Sequence, residues 1–229
     1  MSKISVLIPT IQKNTKVLYK LLKVLCADKA VDEILIINNA LKEFEDIVKD
    51  KKIKIYTPSE NLYVNAAWNL GIKLLKNEKF LIINDDILCC ENFCSKILES
   101  KILDKDSTGL VGLDGSYINQ NDRKTVTDIS VPQEDKQGEL RYIAMTNHMM
   151  TGDWGSAFLG KKENYYDIPQ VLKIIYGDNY LLYENKKHGK TNYKITGLRF
   201  NHIHSLSSGD PEFTKVVVSD IQNSKQFFV

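Results

Sequence analysis

Apolar and polar positions follow two alternating periods along the first half of the chain. "ISVLI" (4–8), "EILIIN" (33–38), "IKIY" (53–56) and "KFLIIN" (79–84) are short runs of Ile, Leu, Val and Phe. Such runs, closed by Pro, Asn or Asp, predict buried strands, the first ending at Pro9. Between them the spacing changes. Val17, Leu18, Leu21, Leu22 and Leu25 recur three and four apart, which predicts a helix capped by Asn14 or Thr15. Residues 64–76 predict another helix, and Phe44, Ile47 and Val48 a short one. Strands that are apolar on both faces and alternate with helices imply an α/β fold with a mostly parallel sheet covered on both sides. Ligands of such sheets sit beyond the carboxyl ends of the strands. This brings together Pro9-Thr10, Asn38-Asn39, the 57–61 loop and Asn84-Asp85-Asp86.

The second half is patterned differently. "GLVGL" (109–113) predicts a strand, and 114–138, rich in Asp, Asn, Gln, Ser and Gly, a long surface excursion. Short strands are expected near 140–145 and 156–159, a helix from about Asp178, extended chain over 193–205, and a closing helix over 211–229. Pro211 stands near the start of that last helix, where proline is tolerated.

Composition narrows the classes. The 229 residues carry 31 basic and 29 acidic side chains, a net charge of +2. A nucleic-acid protein normally needs a basic stripe to neutralise phosphates, so that class is disfavoured. No stretch approaches the ~20 apolar residues of a membrane span, and the start "MSKISVLIPT" lacks a signal-peptide core. Peripheral membrane association and a homodimer both stay compatible with the sequence. Cys26, Cys89, Cys90 and Cys94 offer a zinc site no fourth ligand at suitable spacing, and read instead as thiols of a reducing cytoplasm.

Four places could carry chemistry. Asp85 and Asp86 end a buried strand, where their side chains point to opposite sides. One can hold a hard cation such as Mg2+ or Mn2+ while the other bonds a ribose; a solvated turn is the plain alternative. His202 and His204 in "HIH" face the same way on extended chain and suit one metal contact and one phosphate contact, or merely the polar side of a half-buried strand. Asp178 in "GDNYLL" is either a helix cap or a general base at the cleft mouth. Trp154 in "TGDWGSAF" is either a core aromatic or a stacking platform.

In this order the pieces resemble family 2 glycosyltransferases of the GT-A fold, over roughly residues 3 to 205. "SVLIPT" is similar to the family's first strand, and "ILIINNA" to its V-V-D-N-x-S, with Asn38 where Asp is common. "NLYVNAAWNLGI" matches N-x-G-x-x-x-A-x-N-x-G-I at Asn61, Ala67, Asn69, Gly71 and Ile72, and departs at Tyr63, where Gly is usual. "NDDI" resembles the D-x-D region, opening with Asn84. "GDWGSAF" resembles the acceptor-side segment. "GDNYLLYENKKHGK" is similar to E-D-x-D-L-x-x-R-x-x-x-x-G, with Gly177 for Glu and no Arg, and "NHIHSLSS" resembles the late His segment.

The resemblance implies one GT-A-like domain over 1–229, with a nucleotide-sugar half (1–113) and an acceptor and catalytic half (114–229). It implies transfer, with inversion, from a UDP- or dTDP-sugar to a hydroxyl of a glycan or other acceptor, and a place in polysaccharide biosynthesis. Donor contacts would be Pro9, Thr10, Asn38, Asn39, Asn61, Asn69, Asn84 and Asp85. Asp86, His204 and His202 would meet Mn2+ or Mg2+. Asp178 would be the base, and Asp153, Trp154 and Gly155 the acceptor side. Two rivals share the sheet. A nucleotidyltransferase would normally carry a Gly-rich basic loop after the first strand, which "IPTIQKNTK" lacks; a non-catalytic nucleotide-sugar or glycan-binding module would suit the Asn-for-Asp changes at 38 and 84.

Overall fold

The computed structural model describes residues 2–44, 46–122, 125–133, 139–146, 152–204 and 211–228, with only the backbone of His204 and Glu212. Its elements run β1 Ile4–Thr10, α1 Thr15–Ala27, β2 Val31–Asn38, β3 Ile53–Tyr56, α2 Tyr63–Leu74, β4 Lys79–Ile83, β5 Ile87–Cys89, α3 Phe93–Glu99, β6 Thr108–Leu113, β7 Ile118–Asp122, β8 Arg141–Ala144, β9 Ala157–Lys161, α4 Gly177–Lys187, β10 Thr191–Thr196, β11 Phe200–His204 and α5 Thr214–Ser224. The large sheet has the order β3-β2-β1-β4-β9-β6-β10-β8, and a small one the order β5-β11-β7. β3, β2, β1 and β4 are mutually parallel. β9 runs against both β4 and β6.

Strand period splits the apolar residues between two cores. Val6, Ile8, Ile34, Ile36, Leu81 and Ile83 face the leucine stripe of α1 and the phenylalanines Phe93 and Phe200. Leu7, Leu35, Ile37, Phe80 and Ile82 face Ala67, Trp68 and Ile72 of α2 and Leu181 and Leu182 of α4. Each fully buried side chain of this kind contributes roughly 1.5–3 kcal/mol by leaving water. Cys89, Cys90 and Cys94 are buried and Cys26 half-buried, all as free thiols. Burial pushes the Cys26 thiol up to about 11, with the Asp50 charge adding to the effect.

Several expectations change. Pro9 lies within β1 rather than ending it. Pairing with β4 stops at Leu7, so Pro9 sits where the ladder toward β2 alone continues and its missing N–H costs little. No helix forms over the described residues between 41 and 50, whose few apolar side chains pack as loop. The polar excursion after 113 contains β7, a strand parallel to β11, and the extended run 193–205 is two strands belonging to different sheets. The break falls at Gly197, whose φ of 85° is left-handed and where a Cβ would lie 2.3 Å from the Glu139 carbonyl oxygen; only glycine fits such a corner.

Two consequences position the site. β1, β2 and β4 end side by side. The antiparallel pairing of β11 with β5 sets His202 opposite Ile87, one residue beyond Asp86, and the Ile203 N–H donates to the Asp86 carbonyl at 2.9 Å.

Candidate active site

At the ends of β1 and β2 a set of amides interlocks. Thr10 Oγ1 donates to Asp85 and accepts the Gln12 N–H at 2.9 Å. Asn38 is buried; its amide group donates to the Lys42 carbonyl at 2.7 Å and to Thr57 Oγ1 at 3.2 Å. Its oxygen accepts from Gln12 Nε2 at 2.9 Å. Asn39 donates to the Tyr63 carbonyl at 3.0 Å and accepts the Leu62 N–H at 3.2 Å, while Asn61 accepts the Tyr63 N–H at 2.8 Å. These bonds hold Tyr63 at a left-handed φ of 60°, which accounts for the usual glycine there. Lys13 lies over the Phe213 ring, Lys173 over Tyr63, and the two rings meet edge to face.

Asp85 and Asp86 do part, as adjacent residues at a strand end should. Asp85 turns to Thr10, and its carboxyl is pushed up to about 7 by burial and by the charge of Asp86, against the Thr10 hydrogen bond. Asp86 is buried and points to His202: Oδ1 stands 3.3 Å from Nε2. His202 Nδ1 is in turn 3.9 Å from Asp153 Oδ1, so one imidazole lies between two carboxylates. Burial alone would lower the His202 pKa, but the adjacent Asp86 carboxylate, with the charge of Asp153, raises it overall. Asp153, expected on the acceptor side, thus also flanks the histidine.

The Asp86–His202 pair tests the metal expectation. Asp86 Oδ1 is buried yet makes no aligned hydrogen bond, despite the nearby ring nitrogen. A buried carboxylate oxygen left so is costly unless something else binds it. A separation near 3 Å is about that of two adjacent ligands on one octahedral cation with 2.0–2.1 Å bonds. Among the described residues no group of three or more His, Cys, Asp and Glu side chains could hold a metal. The pair therefore fits a hard cation that draws its other ligands from water and substrate phosphates, as Mg2+ commonly does. The His204 side chain lies outside the described residues.

Asp178 is not the cap of α4; that position is Tyr176, with a left-handed φ of 64°. Asp178 lies in the first turn, half-buried, and its Oδ1 accepts the Asn179 N–H at 2.9 Å. A Cβ on Gly155 would fall 2.5 Å from Asp178 Oδ2, so the residue two after Asp153 leaves room for this carboxylate. The short 3-10 turn Gly152–Ser156 thereby touches both His202, through Asp153, and Asp178, through Gly155. Gly177 is explained too: Asn65 Oδ1 would lie 2.1 Å from a Cβ there, so the Asn65 amide leaves no room for a side chain.

Two assignments are corrected. Trp154 is fully buried, stacked on Phe158, with Nε1 donating to the Tyr193 carbonyl at 3.0 Å. It offers no face to an acceptor, because the close approach of Gly112 draws its ring into the core. Asn69 faces away from the strand ends. Its amide ties to the Ile168 carbonyl (2.8 Å), the Ile168 N–H (2.9 Å) and Tyr165 Oη (2.8 Å), so it pins α2 to a loop rather than a donor. Asn84 is half-buried, with its N–H on the Ser156 carbonyl at 2.9 Å. Thr57 belongs to the 57–61 loop expected at the strand ends, whereas Gln12 carried no cue, since a polar residue in a loop has no spacing signal.

Comparison with known proteins agrees with this fold. The sequence profile described as "Glycosyl transferase family 2" matches residues 5–168. No curated protein matches by sequence. Among solved structures, the chain is similar to GalNAc-T7 crystallised with UDP, GalNAc and Mn2+, at 15% identity and a TM-score of 0.63, covering 95% of this chain and 48% of that one. It is also similar to S. aureus TarS 1-349 in complex with UDP, at 14% identity and a TM-score of 0.57, over 99% of this chain and 67% of that one. The TarS 1-349 complex with UDP-GlcNAc gives 12% and 0.59, over 99% and 68%. At these identities the likeness is one of fold. The chain spans about half the length of GalNAc-T7 and about two thirds of TarS 1-349.

Proposed function

Because the chain belongs to glycosyl transferase family 2, we propose that it moves a sugar from a nucleoside-diphosphate sugar, of uridine or deoxythymidine, to a hydroxyl of a glycan or similar acceptor, inverting the anomeric centre. The observation that carries this reading is the buried Asp86 oxygen beside His202 at the strand ends, joined through one 3-10 turn to Asp178.

Thr10 and Asn38 would hold the base and Asp85 the ribose. Asp86 and His202 would hold a divalent cation, which supplies positive charge against the diphosphate as it leaves. Asp178 would accept the proton of the acceptor hydroxyl as its oxygen attacks the anomeric carbon from the side opposite the diphosphate. Asp153 would steady the His202 ring, as a carboxylate beside a ligating imidazole commonly does. Gly155 keeps the space that the Asp178 carboxylate occupies.

Incubation with a panel of UDP- and dTDP-sugars and Mn2+, reading release of the nucleoside diphosphate by mass spectrometry, tests the reading. Release stimulated by a hydroxyl acceptor and lost in Asp178→Asn is expected. Equal release by Asp178→Asn overturns the assignment of the base, and no binding of any donor overturns the reading itself.

A further inference from the structure

Two residues before Asp178 the backbone takes a strained corner. Tyr176 has a φ of 64° and a ψ of 3°, a left-handed conformation uncommon for a residue with a side chain. Such a conformation persists only where its surroundings over-determine it. Here they hold it from both sides. Before the corner, the Ile175 N–H donates to Asp220 at 3.0 Å, and the Ile175 carbonyl accepts from Asn65 at 3.3 Å. After it, the Tyr176 carbonyl accepts the Tyr180 N–H at 3.0 Å as α4 begins. The Tyr176 ring lies against Phe228, with centroids 6.1 Å apart. Phe228 also meets Tyr183 edge to face at 5.9 Å, and Phe227 meets Tyr180 in the same way at 5.8 Å. Tyr176, Tyr180 and Tyr183 are four and three residues apart, so they form one stripe along α4. Asp220 and the two phenylalanines belong to α5 and the turn that follows it. That stretch therefore grips α4 at its entrance and along one face.

We infer that Tyr176 is a positioning residue for the proposed base, its ring held by Phe228 and the backbone before it by Asp220. This rests on the transferase reading above and deepens it. A glycine would turn the same corner without strain; the tyrosine adds a ring, and the ring is an anchor. Rotation about the Tyr176 φ swings the first turn of α4 and Asp178 with it. Asp178 is closely fitted, its Oδ2 only 2.5 Å from where a Cβ on Gly155 would stand. A general base must also come within hydrogen-bond reach of the proton it takes. The aim of Asp178 is thus set by a stretch about 40 to 50 positions further along the chain, not by the strand ends that would hold the donor. Loosening that stretch should slow the chemical step and spare donor binding.

Tyr176→Gly, Tyr176→Phe and Phe228→Ala are the test, compared with the unaltered chain in three measurements. These are steady-state kinetics with the donor and acceptor selected by the transfer assay, UDP binding with Mn2+ by calorimetry, and hydrogen exchange of the ligand-free proteins. Assays run well below each melting temperature, so that lost stability alone leaves kcat unmoved. Tyr176→Gly relieves the backbone and removes the anchor; Phe228→Ala removes what the anchor rests on. Each should lower kcat at least roughly tenfold, with donor KM and UDP affinity unchanged, and should quicken exchange at the Asn179 and Tyr180 amides. Tyr176→Phe keeps the ring and should keep kcat. Unchanged kcat in Tyr176→Gly and Phe228→Ala overturns the inference while leaving the transferase reading in place. So does a fall in UDP affinity that matches the fall in turnover, which would mean that the ring serves the donor. An equal loss of kcat in Tyr176→Phe also overturns it, since the hydroxyl would then matter and not the anchor. An unaltered chain that binds no UDP and transfers no sugar overturns both.

Discussion

Gly155 leaves the space in which the Asp178 carboxylate lies, so changes at the two positions are linked. Asp178→Asn keeps the shape and removes the basic oxygen, so donor affinity should hold while acceptor-dependent turnover falls about 10²–10⁴-fold, the range a positioned general base provides. Gly155→Ala leaves the carboxylate chemically intact but puts a methyl 2.5 Å from its Oδ2. Displacement of a reacting group by a fraction of an ångström should lower kcat at least roughly tenfold with little change in donor KM, read by steady-state kinetics in both substrates. Asp85, Asp86 and Asp178 could be picked from the sequence because charge at the end of an apolar strand or ahead of a helical stripe has few uses. The place of Gln12 in the strand-end amide network could not, since it depends on a carbonyl 30 residues away. Trp154 misled for the opposite reason: its flanking glycines suggest a loop, but Gly112 of β6 leaves room for its ring to lie in the core, stacked on Phe158.

Two buried carboxylates show how elements, rather than single side chains, are held. Asp220 of α5 is fully buried and accepts the N–H groups of Lys173, Ile174 and Ile175 at 2.9, 2.7 and 3.0 Å. Asn65 of α2 grips the same loop through the Leu172 and Ile175 carbonyls at 3.1 and 3.3 Å. That loop leads into α4 and Asp178. Asp220→Asn turns amide hydrogens toward backbone donors, so it should cost about 3 kcal/mol and speed hydrogen exchange at 173–175. Glu33 of β2 is the second. Burial would raise its pKa, but hydrogen bonds from Lys54, the Lys76 N–H and Ser5 lower it overall. A carboxylate whose folded pKa lies below its unfolded value stabilises the fold above the unfolded value, about 4.3, and that contribution is lost as pH falls through the folded one. Glu33→Gln should therefore flatten the acid limb of a melting-temperature profile below about pH 4. β1 to β4, α1 and α2 were legible because period two and period 3.6 differ plainly there; the helix expected at Phe44, Ile47 and Val48 did not form among the described residues, and the short β5 and α3 carried too few residues to show a period. β7 was not legible either: its Ile118 is buried and the polar residues after it pair with β11, a partner about 80 positions on.

At the scale of the whole chain, the proposed reading makes the polar end of the sheet the place where ligand binding and stability meet. Net charge is only +2, so the proposed nucleotide binding would have to come from local groups rather than from broad electrostatic attraction. Asp86 sits buried beside Asp85 with one oxygen lacking an aligned partner, a costly configuration that a bound cation and diphosphate, if the proposed reading holds, would relieve. Anything that binds the folded chain alone stabilises it by mass action, by about 2.7 kcal/mol at 100 times Kd. For a chain of this size that is a rise of roughly 5–10 °C in Tm. UDP with Mn2+ should give such a rise, and UDP with a chelator much less. Asp86→Asn removes the like charge from Asp85 and the cation's ligand together. Its ligand-free Tm should stay within a few degrees of the unaltered chain, because the lost contact to His202 and the relieved repulsion oppose each other, while the Mn2+-dependent rise vanishes. A calorimetric scan of both proteins under the three conditions decides it. If Asp86→Asn keeps the full Mn2+-dependent rise, the cation is held elsewhere and this end of the sheet is polar for another reason.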